Sequence, residues 1–104
     1  MTWFSGAVAV NPAANDILAD TGALAAGVSN VSVVVATSVA AIVSIEHRDA
    51  ANTTTLHSQL VAVSGLGTLS CELPGVSLAA NERIRLRNTT ILVGSIQGSI
   101  TVFN

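Results

Sequence analysis

Residues 31–47, VSVVVATSVAAIVSIEH, determine the fold class that the sequence predicts. Apolar side chains recur there at every second position, so Val31, Val33 and Val35 lie on one side of an extended chain. Residues 39–47 repeat this spacing. Valine, isoleucine and threonine dominate the stretch, and their branched side chains favour a pleated strand over a helix. The stretch therefore predicts two consecutive β-strands, the first of them apolar on both faces.

The same region is the part of the chain that most resembles a membrane span, because no charged residue occurs between Thr21 and Ile45. Serine, threonine, asparagine and glycine interrupt it, however. Its densest part, residues 31–45, is shorter than the ~20 residues that a membrane-spanning helix needs. We therefore expect strands here and no membrane partner.

Period-two alternation continues on either side of this region, in short segments separated by turn residues. The further strands that we predict are two weak ones at 17–20 and 23–26 and regular ones at 56–63, 69–73, 83–87 and 95–103. Ser64–Gly67 predicts a hairpin turn, and Pro74 predicts the end of the strand before it. A helix within 12–26 remains an alternative, since alanine is frequent there and Asn11 before Pro12 is suited to capping a helix.

These segments give about eight short strands in a single domain that spans residues 1–104. Short strands with regular turns are typical of sandwiches and barrels. We predict an all-β fold, an antiparallel β-sandwich of jelly-roll type. Residues 1–20 are the segment that we expect to be able to form an N-terminal arm, since a terminus is free to reach a neighbour unless it is tied down.

The composition indicates that this domain covers apolar surface with a partner. Half of the residues are hydrophobic and 10% are charged, against ~25% charged in an average soluble domain. Outward valines and isoleucines would form a large exposed patch on a monomer, and such patches mark protein interfaces. The net charge of −2 provides no global positive field for nucleic acid. We therefore expect association with copies of the chain or with another protein, and no nucleic-acid partner.

Residues able to carry chemistry are few. His47, Asp49 and His57 follow the H-x-D…H order of a two-histidine, one-carboxylate iron site; the alternative is that both histidines end strands beside one loop. Cys71 is the only cysteine and alternates with leucines, which predicts a buried thiol and no intramolecular disulfide. The G-x-S-x-G motif of a serine nucleophile does not occur. We predict no enzymatic activity, no cofactor and no metal site.

Three arginines at alternate positions, Arg83, Arg85 and Arg87, share one face of a predicted strand. One interpretation is that they pair with carboxylates of their own chain on an exposed face. The candidate partners for such pairs are Glu46, Glu72 and Glu82. A second interpretation is that they bind an acidic groove on a neighbouring subunit. Nucleic-acid binding is the least favoured, because no aromatic residues interleave the arginines.

Two runs of sequence resemble small virion proteins of tailed bacteriophages, in particular head decoration or cement proteins. They are IVSIEHRDAANTTTLHSQLVAV at 42–63 and LAANERIRLRNTTILVGSIQGSITV at 78–102, including EHRDAAN at 46–52 and NERIRLRN at 81–88. The resemblance covers most of the chain after Val31. It implies a β-rich homotrimer or other small oligomer that binds the major capsid protein, with outward aliphatic side chains buried between copies and the arginines setting the register.

The resemblance also implies a location on the outer capsid surface of the virion. The first ten residues, MTWFSGAVAV, lack the pattern of a secretory signal, so we expect synthesis in the host cytoplasm. The alternative is a carbohydrate- or receptor-binding sandwich on a tail or fibre, for which Trp3, Phe4 and Phe103 are the rings available to stack on a sugar. The partner-binding residues that we predict are Arg83, Arg85, Arg87, Trp3 and Phe4.

Overall fold

The computed structural model describes residues 2–103, which form two antiparallel sheets packed face to face. The strands are β1 Thr2–Ser5, β2 Ala9–Val10, β3 Ile17–Asp20, β4 Gly27–Thr37, β5 Ala41–Arg48, β6 Thr55–Val63, β7 Gly67–Leu78, β8 Arg83–Asn88 and β9 Ser95–Phe103. Sheet A has the strand order β1-β9-β4-β7, with β2 also paired to β9, and sheet B has the order β3-β8-β5-β6. The predicted all-β sandwich is confirmed, with nine strands in place of about eight.

The strands pair in a nested manner. β1 pairs with β9, β3 with β8, β4 with β7 and β5 with β6, all antiparallel. The chain therefore resembles one long hairpin that is rolled across two sheets, which is the jelly-roll arrangement that the sequence predicts. The first twenty residues contribute β1 and β3, which are the outer strands of sheet A and sheet B respectively. Residues 12–26 form turns and β3, so the alternative of a helix there is wrong.

The core lies between the two sheets and follows the alternation along each strand. Val31, Val33 and Val35 of β4 are buried on the inner side of sheet A, as predicted. The other fully or almost fully buried aliphatic side chains include Val43, Ile45, Ile84, Leu86, Ile96, Ile100 and Val102. Full burial of such a side chain contributes about 1.5–3 kcal/mol. Small aliphatic side chains from both sheets therefore hold the sandwich together.

The turn at Ser64–Gly67 does not form the predicted hairpin. β6 on one side of it pairs with β5 in sheet B, whereas β7 on the other side pairs with β4 in sheet A. The turn thus carries the chain from one sheet to the other, because each strand finds its partner elsewhere. The weak strand predicted at 23–26 is absent, and those residues are irregular, with bends at positions 23 and 26.

Pro74 does not end a strand, although its position predicts that it would. β7 continues to Leu78, and its register with β4 shifts between Ser29 and Val31, opposite the Pro74-Gly75 step. Proline lacks an N–H and is tolerated on edge strands and at bulges. β7 lies at the edge of sheet A and contains a bulge at this point, so both conditions are met.

The two sheets approach each other closely at Gly98 of β9. A Cβ atom at this position would lie 2.2 Å from Cδ2 of Leu86 and 3.6 Å from Cβ of Leu18, both on sheet B. The absence of a side chain at Gly98 therefore allows Leu86, which is fully buried, to lie against the backbone of sheet A. Packing in a protein interior leaves little room for even one added methyl group.

We expect Gly98→Ala to lower the free energy of unfolding by about 1–3 kcal/mol, because the added methyl group overpacks the core. Urea unfolding measures this difference. Ser99→Ala, on the outer face of the same strand, is the matched control and should change stability little. If Gly98→Ala were as stable as the wild type, the close approach of Leu86 would not limit the packing of the sheets.

Candidate functional site

The outer face of sheet B carries the three alternate arginines. Ile84 and Leu86 of β8 face the core, so the neighbouring Arg83, Arg85 and Arg87 lie on the outer side. Glu46 of β5 lies opposite Arg85 on the same side. Because strands β5 and β8 are adjacent, one carboxylate is placed within reach of two guanidinium groups.

Glu46 binds both neighbouring arginines. Nε of Arg85 donates to Oε1 of Glu46 at 2.5 Å, and Nε of Arg87 donates to Oε2 at 3.0 Å. The Glu46 side chain is 6% exposed, although it lies on the outer face. Burial acts to raise the pKa of Glu46, but the hydrogen bonds and charges of Arg85 and Arg87 outweigh it, so the pKa lies below its usual range. The carboxylate therefore stays ionised and fixes both arginines.

The structure identifies which carboxylates the arginines bind. Of the three candidates within the chain, Glu46 alone binds an arginine among the residues that the structure describes. Glu82 instead lies 2.8 Å from His47, and Glu72 is exposed on β7 of sheet A. Arg83 lies 3.6 Å from Asp20 of β3, a partner that sequence reasoning missed. Pairing within the chain, through two carboxylates on neighbouring strands, thus accounts for all three arginines of β8.

All four arginines of the chain lie on this face or at its end. Arg48, the last residue of β5, is opposite Arg83 of β8. The three arginines of β8 against the carboxylates of Asp20 and Glu46 leave a net charge of +1 on the face, and Asp49 offsets the charge of Arg48 at its end. The whole chain has a charge of −2. The other acidic residues lie in loops and on sheet A. The outer face of sheet B is therefore basic and attracts an acidic surface.

An exposed apolar patch lies beside the arginines on the β6 side of the same face. We define the apolar patch as Ile42, Leu60 and Ala62. Ile42 pairs with Ala62, and Leu60 pairs with Ser44 two residues further along, on the same face. Leu60 is 67% exposed and Ile42 is 44% exposed. A protein surface that presents such aliphatic side chains together is typical of an interface.

The structure does not bring the candidate iron ligands together. His47 and His57 are cross-strand partners on β5 and β6, with ring centroids 5.7 Å apart. The carboxylate of Asp49 accepts hydrogen bonds from residues 53–54, which close its loop and keep its pKa below the usual range. Nε2 of His47 is 2.8 Å from Glu82. Within residues 2–103 no three His, Cys, Asp or Glu side chains are grouped to hold a metal ion.

A cleft of about 380 Å³ opens between the two sheets where β6 and β7 diverge. Ile84 and Leu73 form part of its apolar lining, and His57 and Gln59 form part of its polar lining. The cleft was not predicted, because its walls come from two strands that the sequence assigns to one hairpin. Its dimensions are suited to a small organic molecule.

Trp3 and Phe4 lie on opposite sides of sheet A. Trp3 pairs with Thr101 of β9, is 65% exposed and borders a shallow depression of about 150 Å³ with Val34 and Gln97. Phe4 is half-buried and packs against the core. The two rings therefore cannot contact one ligand together, although Trp3 is available to a partner.

The sequence matches no protein-family model and no curated protein. None of residues 2–103 belongs to a helix with the length and hydropathy required for crossing a membrane. The basic face with its apolar patch, the cleft and the exposed Trp3 are therefore the features from which a function is inferred.

We expect Glu46→Gln to lower the free energy of unfolding at pH 7 by about 2–3 kcal/mol, because the substitution leaves Arg85 and Arg87 without their anion. The loss is somewhat smaller than for a fully buried pair, since the arginines keep contact with water. The pKa of Glu46 is lowered by folding, so its contribution is present above the pKa of the unfolded state and is lost as pH falls below it. Urea unfolding from pH 7 to pH 3 measures both effects. The difference between wild type and variant should shrink in acid; a difference that is constant over this range contradicts the assignment.

Proposed function

We propose that this chain is a structural virion protein of the capsid-decoration type. It binds the major capsid protein on the outer surface of the particle and bridges neighbouring coat subunits. The observation that carries the proposal is the outer face of sheet B, where a net charge of +1 on β8 and its neighbours adjoins the apolar patch. The two runs that resemble decoration proteins supply most of this face, since residues 42–63 form β5 and β6 and residues 78–102 include β8.

Docking of this face removes the apolar patch from water, which favours association by about 25 cal/mol per Å² of apolar surface. The arginines add specificity, because their charges attract an acidic coat surface and suppress other orientations. Glu46 already holds Arg85 and Arg87 in place. Little side-chain entropy is therefore lost when these two arginines meet a partner.

Ile42→Asp tests the docking face. We expect it to weaken binding to the capsid at least about tenfold, or about 1.4 kcal/mol, because a carboxylate replaces an apolar contact. The measurement is co-sedimentation of the purified chain with particles assembled from the coat protein. Val28→Asp is the matched control, since Val28 is 68% exposed on sheet A and should tolerate the same change.

The wild type and Val28→Asp should therefore sediment with the particles in equal amounts, and this binding should weaken as salt is raised. Absence of the wild-type chain from sedimented particles contradicts the proposed function. If Ile42→Asp and Val28→Asp lost capsid binding to the same extent, the docking face would not be the outer face of sheet B.

A second candidate function is carbohydrate or receptor binding on a tail or fibre. Trp3 favours it, because an exposed indole ring on a sheet face with Ser5 and Gln97 nearby combines an apolar surface with hydrogen-bonding groups. We expect Trp3→Ala to reduce glycan binding at least about tenfold, and Ile42→Asp to leave it unchanged. A glycan array probed with these three proteins measures this, and absence of wild-type binding excludes the candidate.

A further inference from the structure

Edge strands decide whether a sheet can be extended by another chain, since their outer N–H and C=O groups have no partner. The outermost strands of the two sheets are β1, β7, β3 and β6. Three of them are protected. β1 and β3 have four residues each, and β3 also has a register shift after Ile17 and carries Asp20. β7 contains Pro74, a bulge and the charged Glu72.

β6 is the least protected: it carries no proline and no charge, and its one register shift lies at its first residues, before His57. It has nine residues, Thr55–Val63, without proline, glycine, lysine, arginine or a carboxylate. It pairs with β5 alone, in a continuous register from Ala41–Val63 to His47–His57. Residues 56–60 are all exposed. A long, regular and uncharged edge of this kind is a template for a further strand.

We propose that a second copy of this chain adds to β6. The two β6 strands pair antiparallel about a two-fold axis at Gln59, the fifth residue of nine, and join two copies of sheet B into one eight-stranded sheet. A two-fold axis places the same strand on both sides of the interface, so each free N–H meets an equivalent C=O.

The side chains of β6 are compatible with their own copy. Pairing about Gln59 places Ser58 opposite Leu60 on the outer face and His57 opposite Val61 on the other face. No like charges meet, because β6 carries no lysine, arginine or carboxylate, and each His57 lies opposite Val61 of the other copy. The nearest charged strand is β5, and the two β5 strands would be about 14 Å apart at ~4.8 Å per strand, beyond the ~8 Å over which exposed charges interact in physiological salt.

The pairing also unites the exposed apolar surface. Each copy contributes Leu60 and Ala62 at the joined edge, next to its own Ile42. The apolar patch then spans the interface and is doubled in extent, with a basic region on either side. Self-association of this kind does not depend on capsid binding, because it is measured on the purified chain alone.

Substitutions at the two-fold axis provide the test. Gln59→Lys and Gln59→Glu each place like charges directly opposite one another across the axis, whereas a mixture of the two places opposite charges there. Gln59 is exposed at the cleft between the sheets, where its side chain makes a 3.9 Å contact to Sγ of Cys71, so the fold of each variant is checked as well. Gln97→Lys makes the same change on sheet A and is the matched control.

The measurement is sedimentation velocity of the purified wild type, the three variants and the mixture, from about 1 μM to about 1 mM, the range expected for a small interface. We expect the wild type to form a dimer, and each Gln59 variant alone to raise the dimer dissociation constant at least about tenfold. The mixture of the two Gln59 variants should dimerise as the wild type does. Gln97→Lys should have the dissociation constant of the wild type. Circular dichroism verifies that every variant is folded. A wild-type monomer throughout, a closed trimer, or a dimer unaffected by both Gln59 substitutions overturns the proposal.

Discussion

The buried carboxylate of Glu46 is the interaction on which the outer face of sheet B depends. β5 lies inside sheet B and is buried on both faces over Val43–Glu46. Arg85 and Arg87, at alternate positions of β8, would repel each other without an anion between them. One carboxylate that accepts from both turns them into a fixed surface next to the apolar patch. The protein thus has one rigid basic face, although its net charge is negative.

The fold class could be predicted from residues 31–47, because alternation along a strand is a local property that the sequence displays directly. The pairing of β6 with β5 could not, since a turn such as Ser64–Gly67 is compatible with a hairpin and with a crossing between sheets. The choice depends on which long-range pairing buries more apolar surface. The prediction that Pro74 ends a strand is wrong for a related reason. The effect of a proline depends on whether its strand lies at the edge of a sheet.

The candidate site could be predicted in part. Spacing alone places Arg83, Arg85 and Arg87 on one face, and Glu46 is among the partners that the sequence offers. The pairing of Arg83 with Asp20 carries no local signal, because it requires β3 to lie beside β8 in the nested order. The free edge of β6 is likewise a property of topology. The H-x-D…H spacing of His47, Asp49 and His57 is also insufficient to form a metal site. The carboxylate of Asp49 accepts hydrogen bonds from backbone N–H groups of its own loop instead.

The central claim is that sheet B, rather than sheet A, forms the interaction surface of this protein. Hydrogen–deuterium exchange followed by mass spectrometry tests it directly, by comparing the free chain with the chain bound to capsid particles. Amides slow their exchange where partner contact prevents local opening. The account predicts that binding slows exchange in peptides that cover residues 41–63, at β5 and β6. Slower exchange confined to β1, β4 and β9 of sheet A would contradict it.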